Sequence, residues 1–125
     1  MNIKFDENMP IFMQIIDYFK QEVAAGNLAP GDRIPSIREL SKILQVNPNT
    51  VGRAYQEMER EGITVTQRGL GVYISQDTLY LSKLKERLAG EYIATFTQGM
   101  FSLGFKKEEI LNLLTQQLTF KQEDV

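Results

Sequence analysis

Only Gln45 and Val46 separate the end of one amphipathic segment from Asn47-Pro48, a pair that opens another, and so tight a connection clamps two short helices together at a fixed angle. Ser36 followed by Glu39 forms a capping box upstream: the hydroxyl accepts from the backbone N–H of Glu39, and the carboxylate reaches back to the N–H of Ser36. A helix therefore starts at Ile37, with Ile37, Leu40, Ile43 and Leu44 inward and Arg38, Glu39 and Lys42 toward solvent. Asn47 caps the next helix and Pro48 takes its first position, where the missing N–H would have had no partner. Val51, Ala54, Tyr55 and Met58 give it an apolar stripe at helical spacing. Gly62 supplies the left-handed residue that ends it at about Glu61.

The opposite face of that second helix carries Asn49, Thr50, Arg53 and Gln56, short or fork-shaped hydrogen-bonding side chains close to the helix N-terminus. That inventory suits a recognition helix, whose first residues meet base edges in the major groove of DNA. Next, Ile63, Val65, Val72 and Ile74 alternate with polar residues on two short segments joined through Gln67-Arg68-Gly69-Leu70-Gly71, a hairpin with an arginine at its tip. Beside a helix-turn-helix, such a tip sends Arg68 to phosphates or into the minor groove. Together these elements predict a winged helix-turn-helix.

The ordered motifs P-G-D-R-I-P-S-I-R-E-L, V-N-P-N-T-V-G-R-A-Y, E-G and R-G-L-G-V-Y-I resemble the DNA-binding domain of GntR-type transcription regulators. The Asn47-Pro48-Asn49-Thr50-Val51 run and the short tail resemble the YtrA-like branch. The resemblance implies that Arg38 reads a guanine or a phosphate, that Thr50 contacts a phosphate or base, and that Arg68 and Gly69 form the wing-tip pair. It further implies a tail that dimerises. Two departures stand out. Many family members have arginines where this chain has Pro48 and Gly52, which leaves Asn49 and Arg53 as the expected substitutes. Gln45 replaces the usual turn glycine. We expect Arg33, Ser36, Arg38, Asn47, Asn49, Thr50, Arg53, Arg68 and Gly69 to form the DNA-facing set. For Arg33 an ion pair with Asp32 or a nearby glutamate is the competing expectation.

The net charge of −2 runs against the electrostatics of a DNA binder, because phosphate neutralisation supplies much of such affinity. The local balance differs. Arg33, Arg38, Lys42, Arg53, Arg60 and Arg68 outnumber Glu39, Glu57, Glu59 and Glu61 between Arg33 and Arg68, and the acidic excess, Glu57, Glu59 and Glu61, clusters at the far end of the second helix. The absence of cysteine and histidine removes disulfides, thiolate metal sites, the commonest metal ligand and the commonest general base, so no cofactor or metal is expected. Ser41-Lys42 and Glu108-Glu109, the remaining candidates for catalytic pairs, are sequence neighbours that point different ways on a helix. An enzyme is therefore not expected. No apolar run is long enough for a membrane span and no signal peptide is evident, which points to the cytoplasm.

Before the winged unit, Met1 to Asn8 fits a short strand, an arm or a frayed terminus. Ile11, Phe12, Ile15, Ile16, Phe19 and Val23 then trace the inner face of a supporting helix ended by Ala25-Gly26-Asn27, with Gln14 and Lys20 near enough to brush a DNA backbone. From Gln76 a second region begins. A long helix is expected from Leu79 to Leu103, weakened at Gly90 and Gly99 and ended at Gly104, followed by a helix that presents Ile110, Leu111, Leu114 and Leu118 on one side, with Phe105 stapled onto Ile110. Tyr80, Tyr92, Phe96, Met100, Phe101, Phe105 and Phe120 carry more apolar area than an isolated helical hairpin buries.

The expected architecture is therefore α+β and mostly helical: a winged helix-turn-helix over residues 1–76, then a two-helix dimerisation tail over 77–125. Leu81, Leu84, Leu88, Tyr92, Phe96, Met100 and Phe101 are expected to meet their own copies across a two-fold axis. Folding of the tail back onto the winged unit is the alternative. The function expected is a sequence-specific, double-stranded-DNA-binding regulator, a homodimeric repressor of an inverted-repeat operator. The rival is a winged-helix protein–protein or architectural module. The rings of Tyr92, Phe96 and Phe101 fit either a dimer core or a cleft for a small apolar or cationic effector.

Overall fold

The computed structural model describes residues 1–123. In chain order the elements are α1 (Ile11–Ala24), β1 (Arg33–Ile34), α2 (Ile37–Leu44), α3 (Pro48–Glu61), β2 (Thr64–Gln67), β3 (Gly71–Ile74), α4 (Thr78–Ser102) and α5 (Lys107–Glu123). They fall into two compact units, Met1–Glu86 and Arg87–Val125. The first is the expected winged helix-turn-helix, mostly helical with a small antiparallel sheet in the order β1-β3-β2.

The core of the first unit is made where three helices and the sheet converge: Ile15, Ile16, Phe19 and Val23 of α1, Leu40 of α2, and Val51, Ala54, Tyr55 and Met58 of α3. Ile34, Ile63 and Ile74 close it from the sheet side. Phe19 meets Tyr55 edge to face at a centroid separation of 6.0 Å, a favoured geometry for aromatic pairs. The Tyr55 hydroxyl donates to the carbonyl of Pro35 at 2.6 Å, tying α3 to the segment that leads into α2. Burial pushes the Tyr55 phenol well above its ordinary value, with the Glu39 charge adding to the shift.

Both helix starts expected in the helix-turn-helix form as the sequence prescribes. The Ser36 hydroxyl accepts from Glu39 N–H at 3.1 Å and Glu39 Oε1 accepts from Ser36 N–H at 3.2 Å. Asn47 Oδ1 accepts from Asn49 N–H at 2.8 Å, with Pro48 in the first turn. Gln45 adopts the left-handed conformation, φ 55° and ψ 46°, so the turn keeps the shape that a glycine would give it. Gly62, at φ 86°, closes α3, and the N–H of Ile63 returns to the carbonyl of Met58 at 2.9 Å.

Several expectations about facing and pairing change. Ile37 and Ile43 were expected inward but are 38% and 51% exposed, and the inward side of α2 is Leu40 and Ser41, whose hydroxyl donates back to the Ile37 carbonyl at 2.7 Å. Ile11, expected on the inner face of α1, is also exposed. Val65 is exposed, whereas Ile63 and Thr64 are both buried where the chain leaves α3. Arg33-Ile34, for which the sequence suggested no element, pairs with Tyr73 and Val72 and adds a third strand. Met1 to Asn8 forms no strand. Gln14 holds this arm: its amide accepts from Asp6 N–H at 2.8 Å and donates to the carbonyls of Asp6 and Met9 at 2.7 and 2.8 Å.

The start of α4 belongs to the winged unit. Asp77 caps the helix by accepting from Tyr80 N–H at 3.0 Å, and Leu81 and Leu84 are buried within Met1–Glu86. The Tyr80 hydroxyl donates to the carbonyl of Glu61, and its ring lies beside Gly62. In the second unit, Gly104 at φ 89° ends α4 and the N–H of Phe105 returns to Met100 O at 3.2 Å. Glu109 accepts from Lys106 N–H at 3.0 Å at the start of α5, where Ile110 is buried and Phe105 half-buried.

Candidate nucleic-acid interface

The helix-turn-helix and the wing place cations on either side of a polar helix start. Asn49 and Arg53 are exposed on α3 and Thr50 is half-exposed, as a reading face requires. Arg38 is exposed on the first turn of α2. Ser36 and Asn47, assigned to the same set, both spend a side-chain oxygen on the caps described above. Their contribution to the interface is to hold α2 and α3 at fixed starts.

Arg53 does not stand alone. Its guanidinium carbon lies 3.8 Å above the centre of the Phe12 ring, a cation–π contact that stores the side chain against α1. Phe12 was assigned only to the core of α1. Nothing in its spacing marks it as a platform for an arginine on another helix.

At the wing, β2 and β3 pair from Thr64↔Ile74 to Gln67↔Gly71, and the N–H of Leu70 closes the tip by donating to Gln67 O at 2.9 Å. Gly69 sits in that turn at φ 78°, which leaves Arg68 exposed at the end of the hairpin. Arg33 joins the wing through β1. A Cβ on Gly71, whose φ is 137°, would come within 2.8 Å of Arg33 Nε, so glycine there lets the arginine lie across the base of the hairpin. Asp32, the expected partner of Arg33, accepts from Ala29 N–H at 2.8 Å.

The acidic end of α3 is engaged structurally. Glu57 pairs with Arg60, whose hydrogen bond holds the Glu57 carboxyl below its usual range. Glu59 accepts from Thr66 N–H at 3.0 Å and thereby braces the wing against α3. Glu61 pairs with Lys20 at 3.3 Å, partly buried. Gln14 and Lys20, which nothing specific in the sequence assigned to a DNA backbone, make structural contacts: Gln14 latches the N-terminal arm and Lys20 ties α1 to α3.

Of the residues assigned to dimerisation, Leu81 and Leu84 are buried in the winged unit, Leu88 and Met100 are half-buried, and Tyr92, Phe96 and Phe101 are exposed. No helix among the described residues is long and apolar enough to cross a membrane. Nor do those residues hold a cluster of three or more acidic or metal-ligating side chains placed to bind a metal.

Residues 13–74 match the family described as bacterial regulatory proteins, gntR family. The chain is 40% identical over 111 residues to the uncharacterized HTH-type transcriptional regulator YhcF of Bacillus subtilis (strain 168), an alignment covering 89% of this chain and 92% of that protein. It is 53% identical over 68 residues to the HTH-type transcriptional repressor YtrA of the same strain, covering 54% of this chain and 52% of YtrA. A solved GntR family transcriptional regulator from Listeria monocytogenes matches the fold with a TM-score of 0.86 at 37% identity, covering 90% of this chain and 98% of that one. With an exposed polar start to α3, a cationic wing and these relatives, the chain belongs to the GntR family of DNA-binding transcriptional regulators and is not an enzyme.

Proposed function

We propose that the chain is a cytoplasmic homodimeric repressor that binds an inverted-repeat operator in double-stranded DNA. The observation that carries this reading is the exposed start of α3, with Asn49 and Arg53 outward, lying in the same unit as Arg38 and the wing-tip Arg68. Asn49, Thr50 and Arg53 meet base edges, Arg38 takes a guanine or a phosphate, and Arg68 with Gly69 enters the minor groove or follows the backbone. A dyad sets the two recognition helices roughly 34 Å apart, or a modest multiple of that, and imposes its symmetry on the DNA site.

The second unit supports the dimer. Ile93 and Phe101 of α4 are 62% and 59% exposed, and Leu111, Leu118 and Phe120 of α5 are 52%, 59% and 68% exposed. Apolar exposure spread along both helices is more than one small effector would cover, so a second copy of the chain is the better occupant.

Anisotropy of a fluorescent operator recovered by genomic footprinting tests the reading with wild type and Arg38→Ala. Loss of affinity in the variant and a steep fall of log K with log salt are expected. Unchanged binding by Arg38→Ala would remove Arg38 from the interface, and a flat salt dependence would favour a protein-binding module instead.

A further inference from the structure

Between α2 and the start of α3 lies an open groove of about 730 Å³ whose walls include Ile37, Arg38, Lys42, Gln45, Val46 and Pro48. Its lining is mostly apolar carbon, yet Arg38 and Lys42 stand on its rim and Asn49, the first outward polar residue of α3, follows Pro48 directly. Ile37 leaves 38% of its surface uncovered in it. Gly52, one turn along α3 from Pro48, lies beside Ile37 at the edge of this surface. A Cβ there would have only Ile37 Cδ1 as a neighbour, at 3.9 Å, so packing does not demand the glycine. A glycine inside a helix weakens it relative to alanine, and here the fold gains nothing in return.

We infer that this groove reads thymine: Ile37 and Pro48 form an apolar seat for a C5-methyl group in the major groove, with Gly52 leaving room for the base edge to approach. Three features single out this occupant. The groove is continuous with the polar start of α3, its rim cations complement phosphates that flank a base, and the C5-methyl is the one apolar group that a base pair presents in the major groove. The inference rests on the DNA-binding reading above and adds to it a base preference set by apolar contact, in a stretch where the other expected base-reading side chains are polar.

The test uses the full chain and a duplex recovered by selection from random DNA. Each symmetric pair of half-site thymines is replaced in turn by deoxyuridine, which removes the methyl and leaves the hydrogen-bonding edge unchanged. Burial of one methyl per half-site corresponds to about a fourfold loss of affinity at each, or about fifteenfold for the pair. At one symmetric position wild type should show that loss, and Ile37→Ala should reduce the effect of the same replacement to under about twofold. Because Ile37 is 38% exposed, that variant is expected to fold, which an unchanged far-ultraviolet circular dichroism spectrum and urea midpoint check, while its affinity for the unmodified duplex should fall toward that of wild type for the deoxyuridine duplex. A selected duplex bound equally well with deoxyuridine at every position overturns the thymine seat alone. If selection yields no preferred duplex, the sequence-specific reading falls and this inference falls with it.

Discussion

Gly52→Ala should make the protein more stable while weakening its hold on operator DNA. Gly52 lies inside α3, five residues into a helix that runs from Pro48 to Glu61. Glycine in a helix interior is less favourable than alanine by about 0.5–1 kcal/mol, chiefly because it loses more backbone freedom on folding. An added methyl would find Ile37 Cδ1 at 3.9 Å, an ordinary van der Waals contact, and no other heavy atom within 4 Å, so overpacking subtracts nothing. The net expectation is a gain of about 0.5–1 kcal/mol, equivalent to a rise of roughly 2–8 °C in Tm for a domain of this size. Urea unfolding followed by far-ultraviolet circular dichroism measures it, at one protomer concentration because dimerisation makes stability concentration-dependent. The midpoint should rise with the slope unchanged. Destabilisation by more than about 0.5 kcal/mol would mean that the methyl meets something rigid, and the open groove beside Ile37 would be wrong. Operator affinity should fall at the same time, because the methyl stands beside Ile37, where a base edge is expected to approach. A stabilised variant with unchanged affinity would show that the glycine does not serve DNA reading.

Three further outcomes are expected. Phe101→Glu, at a position 59% exposed in the protomer, should shift the sedimentation coefficient toward a monomer at micromolar protein while leaving the melting of the winged unit intact, and a stable dimer would place the interface elsewhere. The backbone N–H of Ser36, and then its hydroxyl, hold the Glu39 carboxyl below its ordinary 4.5, so the ionised group favours the folded state above that pH and the benefit fades as pH falls through the lowered value. Glutamine can replace Glu39 in a capping box without titrating, so urea midpoints of Glu39→Gln should fall less steeply on acidification than those of wild type, and parallel curves would refute the linkage. Tyr55→Phe leaves the Pro35 carbonyl without its 2.6 Å donor and should cost about 1–2 kcal/mol in the same unfolding assay, a neutral result indicating that water replaces the hydroxyl.

Local chemistry made much of this protein legible in advance. The Ser36–Glu39 box, the Asn47-Pro48 start, the Gly62 and Gly104 ends and the Arg68-Gly69 tip each depend on atoms a few residues apart, so the sequence alone specifies their geometry. Even Gln45 conforms, because the turn imposes a left-handed residue whether or not glycine is present. From those pieces the order helix, turn, helix, wing follows, and with it the polar start of α3.

What tertiary structure decided is which of several chemically equivalent options each side chain takes. Arg33-Ile34 becomes a strand only because β3 offers an edge some forty residues further along the sequence. Periodicity placed Ile37 and Ile43 in the core, but the packing of α2 buries Leu40 and Ser41 and leaves both isoleucines exposed. Leu81 and Leu84 carry the same pattern as the rest of α4 and yet are buried in the winged unit, since a helical stripe records that a face is apolar and not which surface covers it. Lys20 and Gln14 had the chemistry to touch phosphate, and long-range neighbours engage them, Glu61 and the Asp6 backbone, while Arg53 rests on the Phe12 ring and stays exposed. The sequence determined caps, turns and periods because these are short-range; partners were set by the fold, because a side chain's competing options differ by little until distant segments come within reach.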